Sequence, residues 1–278
     1  MNLSAVLFIP TFIFGMIIGS FLNVVIYRFN TGRGLGGRSM CFSCNRKLTP
    51  KELFPVLSFL FQKGRCAKCK TKLSWQYPAV ELLTGLLFAL SFMKVFPAAG
   101  YIFNVPFVWI VMSVLMVITV YDLRHKIIPD QFSYLFATLT FIRLFISLNG
   151  NDIVFPSLGV LFAGPLLALP FYLIWMVSKG RWMGLGDAKL SLGLGWFLAV
   201  YVPAFSPLVS NISVFLYSFW IGTAFFILVS IFGFIFKKVP VLGLKSEIPF
   251  APFLILGLLI VFLFRYNVAS LIFNVYLN

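Results

Sequence analysis

Long apolar segments alternate with shorter polar segments along the chain. The apolar segments begin near residue 3 and near Ala79, Phe103, Gln131, Phe155, Leu190, Ile212 and Ile248. A helix of about 20 apolar residues is long enough to cross the hydrocarbon core of a bilayer. The pattern therefore predicts an all-α polytopic membrane protein with about eight transmembrane helices.

One polar segment is long enough to fold as a small domain. It follows the first apolar segment and runs from residue 28 to residue 77. We therefore predict three parts: a first transmembrane helix within residues 1–27, a loop domain over residues 28–77, and a core of seven helices over residues 78–278.

The composition excludes an ordinary soluble protein. Hydrophobic residues make up 61% of the 278 residues and charged residues 10%, whereas soluble domains are roughly 45–50% apolar and about 25% charged. The net charge of +15 would suit nucleic acid, but the basic residues lie in loops between apolar segments. There they set topology and contact anionic lipid headgroups. Membrane lipids are therefore predicted partners, and nucleic acid is not.

The basic residues also predict an orientation. Eleven of the 22 lysines and arginines lie within residues 28–77, and most of the others fall in every second loop after it. Because cytoplasmic loops carry an excess of basic residues, the large loop is predicted to be cytoplasmic. Both termini are then predicted to lie outside.

All four cysteines lie in the large loop, as the pairs Cys41-x-x-Cys44 and Cys66-x-x-Cys69. Two such pairs are the signature of a tetrahedral thiolate zinc site. Disulfides are the alternative, but a cytoplasmic loop lies in a reducing compartment. A site closed by four cysteines leaves no position for a reacting water, so the predicted zinc is structural.

Two aspartates are predicted to lie at the same membrane boundary. Asp122 ends the third apolar segment, and Asp187 precedes the sixth within Gly184-Leu185-Gly186-Asp187-Ala188-Lys189. An ionisable residue beside a membrane span is costly and marks function by default. Glycines let the backbone leave helical geometry and let another segment approach closely. The alternative is an ordinary loop in which Asp187 caps the next helix.

Two carboxylates at one depth suggest aspartyl protease chemistry, in which an ionised carboxylate activates water and a protonated one polarises the scissile carbonyl. Ion coupling in a transporter is the alternative use of such acids. Transporters usually place these acids near the midplane and often contain internal repeats, and neither feature is evident here.

Other polar residues near the segment ends receive separate interpretations. Gly15, Gly19 and Asn23 share one helix face, which favours close helix packing with a hydrogen bond from the asparagine. Glu81 opens the second segment and is predicted to favour a helix N-terminus, to bind a cationic group, or both. Asp130 is predicted to be the N-cap of the fourth segment.

Six motifs occur in one order along nearly the whole chain. They are Gly19–Arg28, the two cysteine pairs, Tyr77–Gly85, Asp122 with Ile128-Pro129-Asp130, Gly184-x-Gly186-Asp187-x-Lys189, and Ile248–Phe253. Together they resemble the motifs of the bacterial type IV prepilin peptidases, which are bifunctional leader peptidases and N-methyltransferases of the Gly-x-Gly-Asp membrane aspartyl protease type.

The resemblance implies a specific function. Asp122 and Asp187 would be the catalytic aspartates that cut type IV prepilins and type II secretion pseudopilins at the cytoplasmic face of the bacterial inner membrane. The supporting residues would be Gly184, Gly186, Lys189, Glu81 and Asn23. The four cysteines would coordinate zinc, and S-adenosylmethionine would supply the methyl group for the new N-terminal residue. The alternatives are a peptidase without methyltransferase activity, an ion-coupled transporter, or a non-catalytic pilus-assembly scaffold.

The chain departs from the family pattern mainly around the loop. Phe29-Asn30 stands where Leu-Pro is common, and the first cysteine pair lacks the usual proline and the following Gly-His. Ala251 replaces a frequent glycine. None of these departures changes an aspartate or a cysteine of the predicted sites.

Overall fold

The structure is a computed structural model that describes residues 6–32, 34–96, 101–147, 152–202, 208–209, 211–217, 219–220 and 249–264. Within these residues the chain is mostly helical and has no regular β-strand. The helices are α1 (Phe8–Arg28), a 3-10 helix (Pro50–Leu53), α2 (Leu57–Phe61), α3 (Gln76–Val95), α4 (Tyr101–His125), α5 (Asp130–Arg143), α6 (Leu158–Leu161), α7 (Ala163–Ser178), α8 (Leu185–Tyr201) and α9 (Ala251–Phe264). Residues 211–217 are also helical.

Among the described residues, four helical segments are long and apolar enough to cross a membrane: Phe8–Arg28, Gln76–Val95, Ile102–His125 and Leu158–Ser178. The first of them carries exposed apolar side chains, including Ile9, Ile17 and Phe21, each more than half exposed. A contiguous apolar face of this kind is unfavourable in water but favourable against lipid. The chain is therefore a helical membrane protein, as the apolar pattern predicts.

The chain divides into two compact units, Met1–Val120 and Tyr121–Asn278, and the division falls within α4. In the N-terminal unit, α1 packs against α3 through glycines. A Cβ atom placed on Gly15 would lie 2.8 Å from the Cα atom of Gly85, and one placed on Gly19 would lie 2.8 Å from the Cα atom of Glu81. The predicted close packing along this face of α1 is confirmed.

The polar segment between α1 and α3 contains two small turns of the same design. An isolated antiparallel bridge joins Met40 to Lys47, and another joins Arg65 to Lys72. Each bridge encloses one cysteine pair. A capping box between Thr49 and Glu52 begins the 3-10 helix that follows the first turn, and Glu52 also pairs with Arg46.

In the C-terminal unit, α8 packs against α5 and α7 through small residues. A Cβ atom on Gly193 would press into the ring of Phe136 on α5, and one on Gly164 of α7 would press into Trp196 on α8. The Trp196 indole N–H donates a hydrogen bond of 2.9 Å to the Leu161 carbonyl. This packing fixes the position of α8, whose first turn contains Asp187.

Candidate functional site

Asp122 and Asp187 are both buried in the C-terminal unit. Asp122 lies near the end of α4 and is 4% exposed, and Asp187 is the third residue of α8 and is 6% exposed. The two carboxylates are close enough for their charges to interact. The structure thus brings together two side chains that are 65 positions apart in the sequence.

The two carboxylates have different hydrogen-bond partners. Asp122 Oδ2 accepts a hydrogen bond of 3.1 Å from the backbone N–H of Ala251, the first residue of α9. Asp187 Oδ1 is buried and has no hydrogen-bond partner among the described residues. A hydrogen bond from an amide stabilises a carboxylate, and a buried oxygen without a partner is costly when charged. The hydrogen bond from Ala251 therefore favours negative charge on Asp122.

The segment between α4 and α5 contacts the backbone next to each of the two aspartates. The backbone N–H of Lys126 donates a hydrogen bond of 2.7 Å to the Asp122 carbonyl, and Lys126 has a φ of 55°. Ile128, two residues later, lies against the first turn of α8. A Cβ atom on Gly186 would lie 3.0 Å from the Cβ atom of Ile128.

The structure therefore refines the predicted role of the two glycines. Gly184 is the N-cap residue of α8, with a φ of −75° and a ψ of 151° that other residues also adopt. Gly186 lies within the helix, so it does not free the backbone beside Asp187. The prediction of a close approach by another segment is confirmed, because Ile128 packs directly against Gly186. The alternative of Asp187 as the N-cap residue is wrong, because Gly184 occupies that position and Asp187 lies in the first turn of α8.

Lys189 and Asp130 form an ion pair, which was not among the predictions made from the sequence. Lys189 Nζ lies 2.7 Å from Asp130 Oδ1 and 5.2 Å from the centre of the Tyr134 ring. The prediction that Asp130 caps α5 is wrong: Pro129 occupies the N-cap position, and Asp130 is the first helical residue. A carboxylate in the first turn of α5 still interacts favourably with the helix dipole. The same carboxylate forms the ion pair with Lys189 on α8.

Glu81 and Asn23 lie in the N-terminal unit. Glu81 is the sixth residue of α3, beyond its first turn, so the prediction that it serves a helix N-terminus is wrong. It is 7% exposed, and its Oε2 atom accepts a hydrogen bond of 2.7 Å from the Val56 backbone N–H, which ties the polar segment to α3. Asn23 Nδ2 donates a hydrogen bond of 3.2 Å to the Tyr77 carbonyl, so the predicted bond across the helix face is confirmed.

The four cysteines converge on one point. The sulfur atoms of Cys41, Cys44, Cys66 and Cys69 all lie within 4.8 Å of one another, and all four are free thiols. A zinc ion with Zn–S distances of about 2.3 Å requires sulfurs about 3.8 Å apart in a tetrahedron. The Cys41 and Cys69 sulfurs are 3.8 Å apart. The geometry therefore fits a tetrahedral metal site better than disulfides.

The backbone shapes each half of this cluster in the same way. The N–H of Cys41 bonds to the Arg46 carbonyl, and the N–H of Cys66 bonds to the Thr71 carbonyl, both at 2.9 Å. The residue after the second cysteine of each pair, Asn45 or Lys70, has a positive φ. Two equivalent turns thus present two thiols each to a common centre.

Two cysteines of the cluster, Cys66 and Cys69, favour the thiolate form. Hydrogen bonds from the Thr71 side chain and backbone lower the pKa of the Cys69 thiol to about 6, and the Thr71 hydroxyl lies 3.3 Å from the sulfur. Backbone hydrogen bonds from Cys69 and Lys68 also lower the pKa of Cys66. Thiolates are the form that binds metal.

Sequence reasoning missed the backbone N–H of Ala251 and the side chains of Ile128 and Tyr134. A backbone donor leaves no signature in the sequence, and Ala251 is 129 positions from Asp122. Asp130 and Lys189 each lie within a recognised motif, so their opposite charges were a usable signal for the pair.

Comparisons with known proteins match both halves of the chain. Residues 13–95 match the model described as the bacterial peptidase A24 N-terminal domain. Residues 109–236 match the model described as the type IV leader peptidase family.

Curated relatives extend the match over most of the chain. A prepilin leader peptidase/N-methyltransferase of Bacillus subtilis is 31% identical over 93% of this chain and 95% of its own length. A protein of the same name from Aeromonas hydrophila is 35% identical over 67% of this chain and 71% of its own length. No solved structure matched the chain.

Proposed function

Because the chain belongs to the type IV leader peptidase family, we propose that it removes the leader peptide of type IV prepilins and pseudopilins at the cytoplasmic membrane face and then methylates the new N-terminal residue. Similarity over nearly the whole of a relative named as both peptidase and methyltransferase supports both activities.

We assign the peptidase chemistry to Asp122 and Asp187. The observation that carries this assignment is the burial of the two interacting carboxylates within one unit. Two such groups avoid simultaneous ionisation by sharing a proton. The ionised carboxylate takes a proton from water as the water attacks the scissile carbonyl carbon. The protonated carboxylate donates its proton to the carbonyl oxygen. The amide of Ala251 favours Asp122 as the ionised member, because it stabilises charge on that carboxylate.

The residues around the dyad have positioning roles in this proposal. Gly186 admits Ile128, and the Lys189–Asp130 pair ties α8 to the start of α5. Both contacts join the segment after Asp122 to the helix that carries Asp187. They therefore limit how far the two carboxylates move relative to each other.

The cysteine cluster is proposed to hold a structural zinc ion through Cys41, Cys44, Cys66 and Cys69. Zinc supplies folding free energy at a closed four-thiolate site. S-adenosylmethionine, when bound, would supply the methyl group for the substrate amine.

The proposed topology follows from the charge pattern. Eight helices cross the bacterial inner membrane, with both termini outside and the polar loop in the cytoplasm. Residues 1–27 form the first helix, residues 28–77 the zinc loop, and residues 78–278 the membrane protease core. The four described helical segments that are long and apolar enough to cross a membrane support this arrangement.

The test uses the purified full-length chain in lipid nanodiscs, a synthetic prepilin with a basic leader, and S-adenosylmethionine. Mass spectrometry should find cleavage after the glycine that ends the leader, followed by a gain of one methyl group on the new N-terminal residue. A scaffold would bind the prepilin and leave it uncut, which would contradict the proposal. A transporter would show ion-dependent uptake in vesicles and no cleavage.

A further inference from the structure

The ends of two helices mark the membrane boundary in the N-terminal unit. α1 ends at Arg28 and α3 begins at Gln76, and both helices are long and apolar enough to cross a membrane. The Tyr27 and Tyr77 rings stack with their centres 5.0 Å apart, so the two helix ends lie at one level. The 20 residues of α3 measure about 30 Å at 1.5 Å per residue, which matches the hydrocarbon core of a bilayer. The start of α3 therefore lies at the surface of that core.

The short helix α2 is held at this same level. The Val56 N–H donates a hydrogen bond of 2.7 Å to Glu81 Oε2. Glu81 is the sixth residue of α3, about 7.5 Å along the helix axis from the first. Phe59 of α2 packs against Trp75, the N-cap residue of α3, with ring centres 4.8 Å apart. α2 therefore lies beside the first turns of α3.

The outward side of α2 is apolar. The α2 patch consists of Phe54, Leu57, Leu60, Phe61 and Trp75, each more than half exposed. The spacing of positions 57, 60 and 61 places three of these side chains on one helix face. Grouped apolar side chains on a surface mark an interaction site, and tryptophan is enriched at membrane–water interfaces. At the level where α3 begins, the α2 patch meets the lipid headgroup layer.

A cationic cleft lies directly beside the α2 patch. Its volume is about 480 Å³, and Leu60 and Trp75 of the patch form part of its wall. Lys63, Arg65 and Lys72 also line the cleft, and its described lining contains no carboxylate. An antiparallel bridge pairs Arg65 with Lys72, and like charges directly opposite each other are destabilising. An anion bound between them would remove that cost.

The polar segment has no spare carboxylate for these cations. Glu52 is the only acidic residue within residues 28–77, and it pairs with Arg46. In the equivalent first turn, the bridge joins Met40 to Lys47 and opposes no like charges. The cationic pair is thus confined to the turn beside the α2 patch, where an external anion is its available partner.

We propose that the α2 patch inserts into the headgroup layer of the membrane and that the cleft beside it binds the phosphate of an anionic phospholipid through Lys63, Arg65 and Lys72. The apolar side chains of the patch contact the first acyl carbons, as in helices that lie in the membrane interface. The guanidinium and ammonium groups donate charge-assisted hydrogen bonds to the phosphate oxygens. The polar segment is then attached to the bilayer by its own side chains. This attachment does not depend on the proposed peptidase and methyltransferase activities.

Fluorescence quenching by brominated lipids tests the surface in the full-length chain in nanodiscs. The variant Phe61→Trp places a reporter in the α2 patch, and its emission is the difference from the wild type. The reporter should show a preference of at least about tenfold for brominated phosphatidylglycerol over brominated phosphatidylcholine. Quenching by aqueous iodide without quenching by either lipid would place the patch in water and overturn the proposal.

The variant Lys72→Gln, made in the same background, should lower the preference for phosphatidylglycerol roughly fivefold. Lys47→Gln is the matched control, because Lys47 holds the equivalent bridge position in the first turn and does not line the cleft. The control should keep the preference of the parent. Equal quenching by the two lipids, or equal losses in the two lysine variants, would overturn the cleft as an anion site.

Hydrogen exchange of the wild type keeps the test decisive if a variant does not fold. Amides of residues 57–64 should exchange more slowly in phosphatidylglycerol nanodiscs than in phosphatidylcholine nanodiscs, while those of residues 40–47 should exchange equally in both. Equal exchange of residues 57–64 in the two lipids would contradict the proposal. Protection of these residues only after prepilin is added would assign the patch to a protein partner and overturn the proposal.

Discussion

Gly186→Ala is the sharpest perturbation of the proposed dyad, because it adds one methyl group beside Asp187. That methyl carbon would lie 3.0 Å from Ile128 Cβ, whereas ordinary contact begins at 3.4 Å. The first turn of α8 or the segment that contains Ile128 must therefore move by about 0.4 Å, the difference between these two distances. Catalytic groups need placement within about 0.5 Å.

The expected effect is on rate more than on stability. An error of about 1 Å at reacting groups costs about 10²-fold in rate, so we expect Gly186→Ala to lower kcat roughly five- to tenfold. Alanine gains about 0.5–1 kcal/mol over glycine in a helix, and overpacking costs about 1–3 kcal/mol. The free energy of unfolding should therefore fall by less than about 2.5 kcal/mol.

The control for this experiment is Gly159→Ala in α6. A Cβ atom at position 159 has no neighbour within 4 Å, and the residue is helical and exposed. This variant should cleave within about twofold of the wild-type rate, since the added methyl group meets no other residue. The assay is the initial rate of prepilin cleavage in nanodiscs, with thermal unfolding measured in parallel. Equal loss in both variants, or a wild-type rate for Gly186→Ala, would refute the packing explanation.

Three further predictions concern the ion pair, the thiols and the helix packing. A double-mutant cycle with Lys189→Met and Asp130→Asn should give a coupling free energy of at most about 1 kcal/mol in thermal unfolding, because the Asp130 side chain is 59% exposed; a coupling several times larger would contradict this. In the metal-free protein, the rate of alkylation of Cys69 plotted against pH should show a midpoint near pH 6. Thr71→Val should move that midpoint to higher pH. An unchanged midpoint would show that Thr71 does not lower the pKa of Cys69. Gly19→Ala should reduce the free energy of unfolding by about 1–3 kcal/mol, because the new methyl group meets the α3 backbone; unchanged stability in chemical denaturation would argue against the close packing.

The pH dependence of the loop follows from the same thiol. The pKa of Cys69 in the folded loop is below its usual value of 9.0, so folding favours the thiolate. The resulting contribution to stability is fully present at pH values above the usual thiol pKa. It is lost as the pH falls through about 6. Protease sensitivity of the metal-free loop should therefore rise on acidification.

The helices could be predicted because their signal is local and repeated. An apolar segment expected near Gln131 begins as α5 at Asp130, and the one expected near Phe155 begins as α6 at Leu158. The cysteine cluster could be predicted for a similar reason, since each Cys-x-x-Cys pair shapes its own turn. Only the meeting of the two turns depends on the rest of the fold.

The details around the aspartates could not be predicted because they depend on distant backbone. Aspartate is a common helix N-cap, which is why Asp130 was predicted to cap α5. Instead, Pro129 occupies the N-cap position, and the Asp130 carboxylate pairs with Lys189 on α8. A glycine at position 186 suggested a flexible turn. In the structure, the absence of a side chain at Gly186 instead lets Ile128 pack against α8. Whether a glycine provides flexibility or close packing depends on the residues that surround it in the fold. Those residues lie outside the motif that contains the glycine.

The rate of prepilin cleavage by Asp122→Asn and by Asp187→Asn, each in nanodiscs, tests the aspartyl mechanism most directly. Asparagine keeps the shape of each side chain and removes its ability to exchange a proton. Both variants should lose roughly 10²–10⁴-fold in cleavage rate, while Asp152→Asn, at an exposed aspartate outside the dyad, should cleave like the wild type. Wild-type cleavage by either dyad variant would contradict the assignment of the chemistry to these two residues.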